Sequence, residues 1–438
     1  MSKTQNRRSG PRRNDRAASS GNQSGPVNYP AKKRGRELPS LYILFSIICV
    51  AISAIAYRKI YSPATVVHSH KPYLFQHGLV KTDLNYDEVL TANFEVDEED
   101  STKTRRHFQN PVLAYITPWN SKGYHLAKKF SSKFTHLSPV WYQLKSEGGN
   151  LVLDGRHNAD KEWISDIHKK GDALILPRVV LEAIPMDLLK RKKKRDKAIR
   201  IIIAECKEME YDGIVLESWS RWAAYGVLDD PDIRNMALQF IRQLGEAMRS
   251  VRLERNKKKT LELVYVIGPP RSDKLQDRDF GTNDLQSLGD AVDGFSLMTY
   301  DFSGPQNPGP NAPLNWIHST LQLLLGGRVG LDHSLARKIF LGINFYGNDF
   351  VISGGLGGGP IIAHEYVSLL EKHKPALEWE NTSGEHFFVY TDDQHARHVV
   401  FYPSFLSLVM RLEAALSWDV GISIWEIGQG LESFFPLL

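Results

Sequence analysis

The stretch Gly213-Ile214-Val215-Leu216-Glu217-Ser218-Trp219 is a short apolar run that ends in an acid, a hydroxyl and an aromatic ring, and a longer, charged, helix-like stretch follows it. Seven further runs share this form: VLAYITPW (112–119), FTHLSPVWY (134–142), ALILPRVV (173–180), LELVYVIG (261–268), GFSLMTYDF (294–302), IFLGINFYG (339–347) and GISIWEIG (421–428). A strand-length apolar run followed by helix-like sequence reads as a βα unit. Eight of them, at intervals of about 20 to 80 residues, give the count and length of a parallel (β/α)8 barrel, the TIM architecture of the α/β class. A doubly wound open sheet is the rival. It would carry a glycine-rich phosphate turn after its first strand, and the first run ends instead in Thr117-Pro118-Trp119-Asn120.

The interval between the seventh and eighth runs, about 348–405, has strand-like pieces of its own, PIIAHEYVSLLEKH and, after the turn at Asn381 to Gly384, HFFVYTD. They predict a small α+β subdomain inserted before the last strand, where it would wall one side of a cleft on the active face of a barrel. The GGLGGGP segment (354–360) lacks a following Gly-Lys-Ser/Thr and predicts a flexible turn, not a phosphate cradle.

With 438 residues, 42% hydrophobic and 24% charged, the chain is neither a disordered polymer, a collagen-like fibre nor a disulfide miniprotein. Its formal charge is +5, but residues 1–39 hold ten Lys/Arg against Asp15 and Glu37, an excess of +8, so the remainder carries −3. Basic character confined to a tail gives the body of the protein no affinity for nucleic acid. Residues 1–37 are rich in Ser, Asn, Gly, Pro and Arg and predict a disordered basic tail in the cytosol. Residues 38–57 include LYILFSIICVAISAIAY, seventeen residues without a charge, long enough with their apolar flank to span a bilayer as a helix. The alternatives are a cleaved secretory signal ending near Ala54 to Ala56 and a buried core helix. Because the basic residues precede the run, the positive-inside bias orients it as a signal-anchor with everything beyond residue 60 lumenal or extracellular, a type II membrane topology. A polar linker over 58–107 would then lead to a domain over 108–438, with Asn381-Thr382-Ser383 as its glycosylation sequon. Cys49 and Cys206 lie too far apart in character and sequence to suggest a bridge.

In a barrel, ligand-handling side chains sit at the C-terminal strand ends. Here those ends are aromatic: Trp119, Trp141 and Tyr142, Trp219 and Trp222, Tyr300, Tyr346, Trp425. Each ring alone is more simply packing. Six of eight ends carrying one suits the apolar faces of sugar rings and predicts a carbohydrate cleft.

The stretch Tyr211 to Trp219 resembles the catalytic strand of the family 18 glycoside hydrolases, the chitinases, whose pattern is Asp-Gly-x-Asp-x-Asp-x-Glu. Met298-Thr299-Tyr300-Asp301 resembles the Met-x-Tyr-Asp of that family, Trp425 matches the tryptophan that floors its sugar site, and the insertion before the eighth strand resembles the chitinase insertion domain. The resemblance covers about residues 108–438, and within the family it points to the stabilin-interacting chitinase-like subgroup. It implies an oligosaccharide partner containing N-acetylglucosamine and no cofactor. A departure goes with it. Asp212 keeps the first acidic position, Val215 replaces the second, Glu217 takes the third, and Trp219 stands where the resemblance places the proton-donating glutamate. In those enzymes the acetamido group of the substrate attacks the anomeric carbon and the protein must protonate the leaving oxygen, which indole cannot do. Glu217 is the remaining candidate acid, although one extra methylene recovers less than half of the two-residue distance, nearly 7 Å, along a strand. Otherwise it is an inward carboxyl satisfied by Tyr300 or another polar neighbour.

The sequence therefore predicts a catalytically impaired barrel that binds oligosaccharide. Trp425, Tyr300 and Asp301 would form the innermost site, Trp219 would fill the place of the acid, and Trp119, Trp141 and Trp222 would be rim platforms. A weak hydrolase using Glu217 and a scaffold that binds a protein partner are the rival readings. His395 and His398 beside Asp392 and Asp393 lack a convincing metal-ligand pattern. The basic runs KRKKKR (190–195) and RNKKK (255–259) read as solvated helix faces.

Overall fold

The computed structural model describes residues 73–94, 106–253, 255–270, 275–276, 278–353 and 357–438, all within a compact unit from His70 to Leu438. The expected tail (1–37) and membrane run (38–57) lie outside the described residues. Among the described residues no helix is long and apolar enough to cross a membrane.

All eight runs form strands. They are β1 (Val112–Ile116), β2 (His136–Pro139) continuing as β3 (Tyr142–Glu147), which turns back as β4 (Asn150–Asp154), β5 (Leu174–Ile175) continuing as β6 (Arg178–Leu181), β7 (Gly213–Glu217), β8 (Glu262–Ile267), β9 (Gly294–Leu297), β10 (Ile339–Asn344) and, after an insertion, β16 (Gly421–Trp425). The sheet order is β4-β3-β6-β7-β8-β9-β10-β16-β1-β2-β5. Two staves are broken, at Val140-Trp141 and at Leu176-Pro177, so β2/β3 and β5/β6 are halves of single staves. Joining the halves brings both ends of that order together and curls the sheet into a TIM-barrel-like body. Pro177 has no N–H to give, and the ladder resumes through its carbonyl, which accepts from Val215 N at 3.0 Å.

The axis is filled by side chains that alternate inward, among them Tyr115, Val215, Val264, Val266 and Phe340. Burial of each is worth about 1.5–3 kcal/mol. Around the barrel lie helices such as Pro231–Arg249, started by an Asp230 carboxylate that accepts from Asp232 N and Ile233 N. Ile233, Ala237, Phe240, Ile241, Leu244 and Met248, spaced by three and four, make its buried face. The first acid of the family-like motif is structural. Asp212 is 1% exposed, and its carboxylate accepts from Ile175 N at 2.8 Å and from Arg255 Nε at 2.8 Å, with His168 at 3.1 Å. Gly213 follows because a side chain there would run into the Glu262 backbone.

Between β10 and β16 a second, five-stranded antiparallel sheet runs β12-β11-β15-β14-β13. Its strands are β11 (Gly347–Val351), β12 (Gly358–Ile361), β13 (Glu378–Glu380), β14 (Glu385–Thr391) and β15 (Arg397–Phe401), with a helix at Ala363–His373. Part of the expected glycine-rich turn is thus strand: Gly358 pairs with Phe350.

Three expectations need correction. The linker expected over 58–107 includes the helices Tyr73–Gln76 and Tyr86–Phe94, whose Leu74, Val89 and Ala92 are buried. Their apolar residues were too few to stand out but are enough to dock short helices. The basic runs are not wholly solvated, since Arg255 grips Asp212 and Arg195 is 9% exposed with its guanidinium on the Leu189 carbonyl. Finally, β7 ends at Glu217, and Trp219 opens a helix, Trp219–Ala224. Inward parity along the strand therefore does not reach Trp219.

Candidate functional site

Three side chains meet at the C-terminal mouth of the barrel. Arg178 sits beside Val215 in register, and Glu217 beside Val180, so both point to the axis. They form a close ion pair with side chains 15% and 18% exposed. The guanidinium carbon of Arg178 also lies 5.1 Å from the ring centre of Trp425, within cation–π range. The Tyr115 ring stands 5.2 Å from the same tryptophan. Its hydroxyl donates to Ser296 Oγ at 2.8 Å, and Ser296 to Ser423 Oγ at 3.2 Å. Ser138, the register neighbour of Tyr115, is fully buried with no partner for its hydroxyl.

Beside this cluster opens a groove of about 760 Å³, lined by the helix at Trp219–Ala224, by Gln276, Arg278, Asp279 and Phe280 after β8, and by Met298, Tyr300, Asp301, Phe302 and Trp316. Its volume is that of a small-ligand site. The Phe302 and Trp316 rings lie 5.2 Å apart, and Phe302 is 49% exposed. Asp301 adopts φ +58°. Its backbone N–H donates to Asn311 Oδ1 at 2.7 Å, and its carboxylate accepts from the Tyr346 hydroxyl. Burial pushes the Tyr300 phenol well above its ordinary range. Aromatic faces next to fixed polar groups can hold a polyhydroxylated ring by stacking and hydrogen bonding.

Trp219 belongs to the wall of this groove. It is 3% exposed, its ring meets Phe280 edge-on at 5.0 Å, and its N–H donates to the Arg278 carbonyl at 3.1 Å. Two expected rim platforms are not on the rim. Trp141 is 2% and Trp222 0% exposed, and Trp141 is locked in a cluster with Tyr124 and Trp163, donating to Tyr124 Oη at 2.6 Å. Strand-end position alone does not tell a wall from a rim. Trp119, at 72% exposure, does stand free, after β1 and across the mouth from the groove.

Several residues were missed by the sequence reading. Arg178 satisfies Glu217 in place of the expected Tyr300; its signal was a lone charge inside the apolar run ALILPRVV. Glu426, directly after Trp425, is fully buried and binds Asn120 Nδ2 at 2.7 Å and Gly428 N at 3.0 Å. Burial raises its pKa to about 7, against the hydrogen bonds that favour its charged form. Phe302 and Trp316 gave no signal that separated them from core. In the insertion, His398 contacts Asp349 at 2.8 Å and stacks on Tyr390, while His395 occupies a turn at φ +65°. Among the described residues no group of three or more His, Cys, Asp or Glu is placed to hold a metal. Asn381 lies exposed after β13.

The Glu217 carboxylate accepts from the Arg178 guanidinium. Asp279 and Asp301 lie in the groove, and Glu426 follows Trp425 at the end of β16.

Comparison with known proteins agrees with this architecture. The family described as glycosyl hydrolases family 18 matches residues 186–430. An uncharacterized glycosylase of Bacillus subtilis is 26% identical over 250 residues, covering 56% of this chain and 69% of the relative. A cortical fragment-lytic enzyme of the same organism is 25% identical over 214 residues, covering 48% of this chain. The chain spans about half the length of that enzyme, 46%. The crystal structure of a chitinase from Chromobacterium violaceum superposes with a TM-score of 0.61 at 18% identity, covering 75% of this chain and 98% of that one.

Proposed function

Because this chain belongs to glycosyl hydrolase family 18, with more than half of its length matched, we propose that it is a non-hydrolytic oligosaccharide-binding member of that family. The observation that carries the reading is the state of the two positions that the family resemblance offers for the acid: Trp219 at the position of the proton donor is built into a wall, and Glu217 is engaged by Arg178. Loss of general-acid help costs typically 10²- to 10⁴-fold in rate, whereas the aromatic groove with Tyr300, Asp301, Phe302 and Trp316 keeps what binding needs. Family membership favours chains of N-acetylglucosamine as ligand. The resemblance over residues 108–438 extends this reading to the stabilin-interacting chitinase-like subgroup. The uncharged run at 38–57, preceded by basic residues, supports a type II membrane protein with the barrel on the lumenal or extracellular side.

The test is a titration of the full chain in detergent micelles with defined chitooligosaccharides, following tryptophan fluorescence and released reducing ends together. Saturable quenching without cleavage is the expected result. Turnover that disappears in Glu217→Gln would establish the hydrolase reading instead. No sugar response, together with a stable protein partner retained by the chain, would favour a scaffold.

A further inference from the structure

Trp425 and the groove are neighbours that do not share a ligand surface. The groove is lined from Trp219 round to Trp316, with no contribution from Arg178, Glu217 or Trp425. Trp425 is only partly buried, and the protein itself supplies a partner for its ring. The guanidinium of Arg178 lies over its ring at 5.1 Å, and a sugar ring stacked on the indole would need carbon contacts at about 3.5–4.0 Å in the same space. Arg178 is not a loose side chain that a ligand could brush aside. It is 15% exposed, its far end is held by Glu217, and its strand is paired on both sides, with β3 and with β7. Moving it would strand a mostly buried carboxylate without a partner.

We propose that Arg178, locked by Glu217, is an internal plug that occupies the face of Trp425 and thereby decides specificity, confining an oligosaccharide to the groove beside the barrel axis. This rests on the oligosaccharide-binding reading only for the identity of the ligand. The plug makes two positions act as one. Glu217 holds Arg178 in place, and Arg178 denies the axial site to a pyranose. The groove then reads a sugar chain along its aromatic wall, without the axial contact at Trp425.

The experiment compares five forms of the full chain by calorimetric titration with the tetramer of N-acetylglucosamine: the wild type, Trp425→Ala, Trp316→Ala, the charge-neutral pair Arg178→Ala with Glu217→Gln, and that pair combined with Trp425→Ala. Removing both charged partners avoids leaving either one unpaired, and a thermal melt checks that each form is folded. The double variant should bind roughly tenfold tighter or more than the wild type, and the added Trp425→Ala should abolish the gain. In the wild type, Trp425→Ala should cost far less affinity than Trp316→Ala. The plug is overturned if Trp425→Ala alone removes wild-type binding, an outcome that leaves oligosaccharide binding intact. Conversely, a wild type that binds nothing while the double variant binds through Trp425 would sustain the plug and sink the function proposed above. If the double variant does not fold, the Trp425→Ala and Trp316→Ala comparison in the wild type still decides the question.

Discussion

The guanidinium of Arg234 lies 4.8 Å over the ring of Trp219, so the residue that the family resemblance sets at the proton-donor position is clamped between the helix Pro231–Arg249 and the segment after β8. A glutamate at position 219 should therefore not confer catalysis. Trp219→Glu removes a buried indole, which costs about 3–5 kcal/mol, and places a carboxyl against Arg234 and Phe280, not toward the axis. The expected outcome is a lowered melting temperature with no release of reducing ends from chitooligosaccharides. Measurable turnover in this variant would show that position 219 still addresses the reacting bond.

Glu217→Gln separates a structural carboxylate from a catalytic one. Loss of the charge beside Arg178, in a pair about five-sixths buried, should destabilise the fold by roughly 2–3 kcal/mol in denaturant titrations. Reducing-end release should stay at the wild-type background. A variant that keeps its stability but loses a measurable wild-type turnover would reverse the assignment.

The aromatic groove predicts a contrast between two tryptophans. Trp316→Ala should weaken binding of a short chitooligosaccharide roughly three- to tenfold, the range expected for one aromatic contact. Trp119→Ala, on the far side of the mouth, should leave that affinity unchanged. Equal losses at both positions would mean that the sugar crosses the mouth and does not stay in the groove.

Glu426 makes stability depend on pH in a defined direction. Its folded pKa of about 7 lies above the ordinary carboxyl value of 4.5 because burial disfavours the charge. Between those values the unfolded chain has released the proton and the folded chain still holds it, so stability falls as pH rises from about 4.5 to about 7 and then levels off. The full effect is on the order of 3 kcal/mol. Glu426→Gln, which keeps the acceptor facing Gly428, should remove this slope, and the difference between the two proteins in unfolding experiments from pH 4.5 to 8 isolates it. Parallel curves would place the ionisation elsewhere.

The barrel was readable because its signal is repeated: eight apolar runs separated by helix-like sequence leave few alternatives, and each run proved to be a strand. The β3–β4 hairpin was not foreseen, since Tyr142 to Glu147 has the alternating polarity of a half-exposed ribbon and merges with the preceding run. Within the site, residues defined by type and motif were legible, but their directions were not. Trp141 and Trp222 differ from a surface platform only in what surrounds them, a tertiary fact. Trp219 was misjudged through parity, which fails one residue after Glu217, where the strand gives way to a helix. Arg178 was visible as an isolated charge, yet nothing local linked it to Glu217 and Trp425, 39 and 247 positions away in sequence.

The turn after β13 offers a check on topology. Asn381 is exposed there, while the Glu380 carboxylate accepts from Thr382 N at 3.0 Å. If the barrel is lumenal, the chain expressed in a secretory pathway should lose mass on enzymatic removal of N-linked glycans, and Asn381→Gln should prevent the original gain. An unmodified Asn381 in such cells would count against that orientation.

The coupling of Arg178 to Glu217 also bears on how this domain can change over evolutionary time. On the non-hydrolytic reading proposed above, hydrolysis would require both clearing the guanidinium from the indole and installing a proton donor. Clearing the guanidinium alone would cost stability and alter what the domain binds, without giving turnover. On that reading the packing acts as a ratchet, in which drift can refine what the groove recognises far more easily than it can build an enzyme.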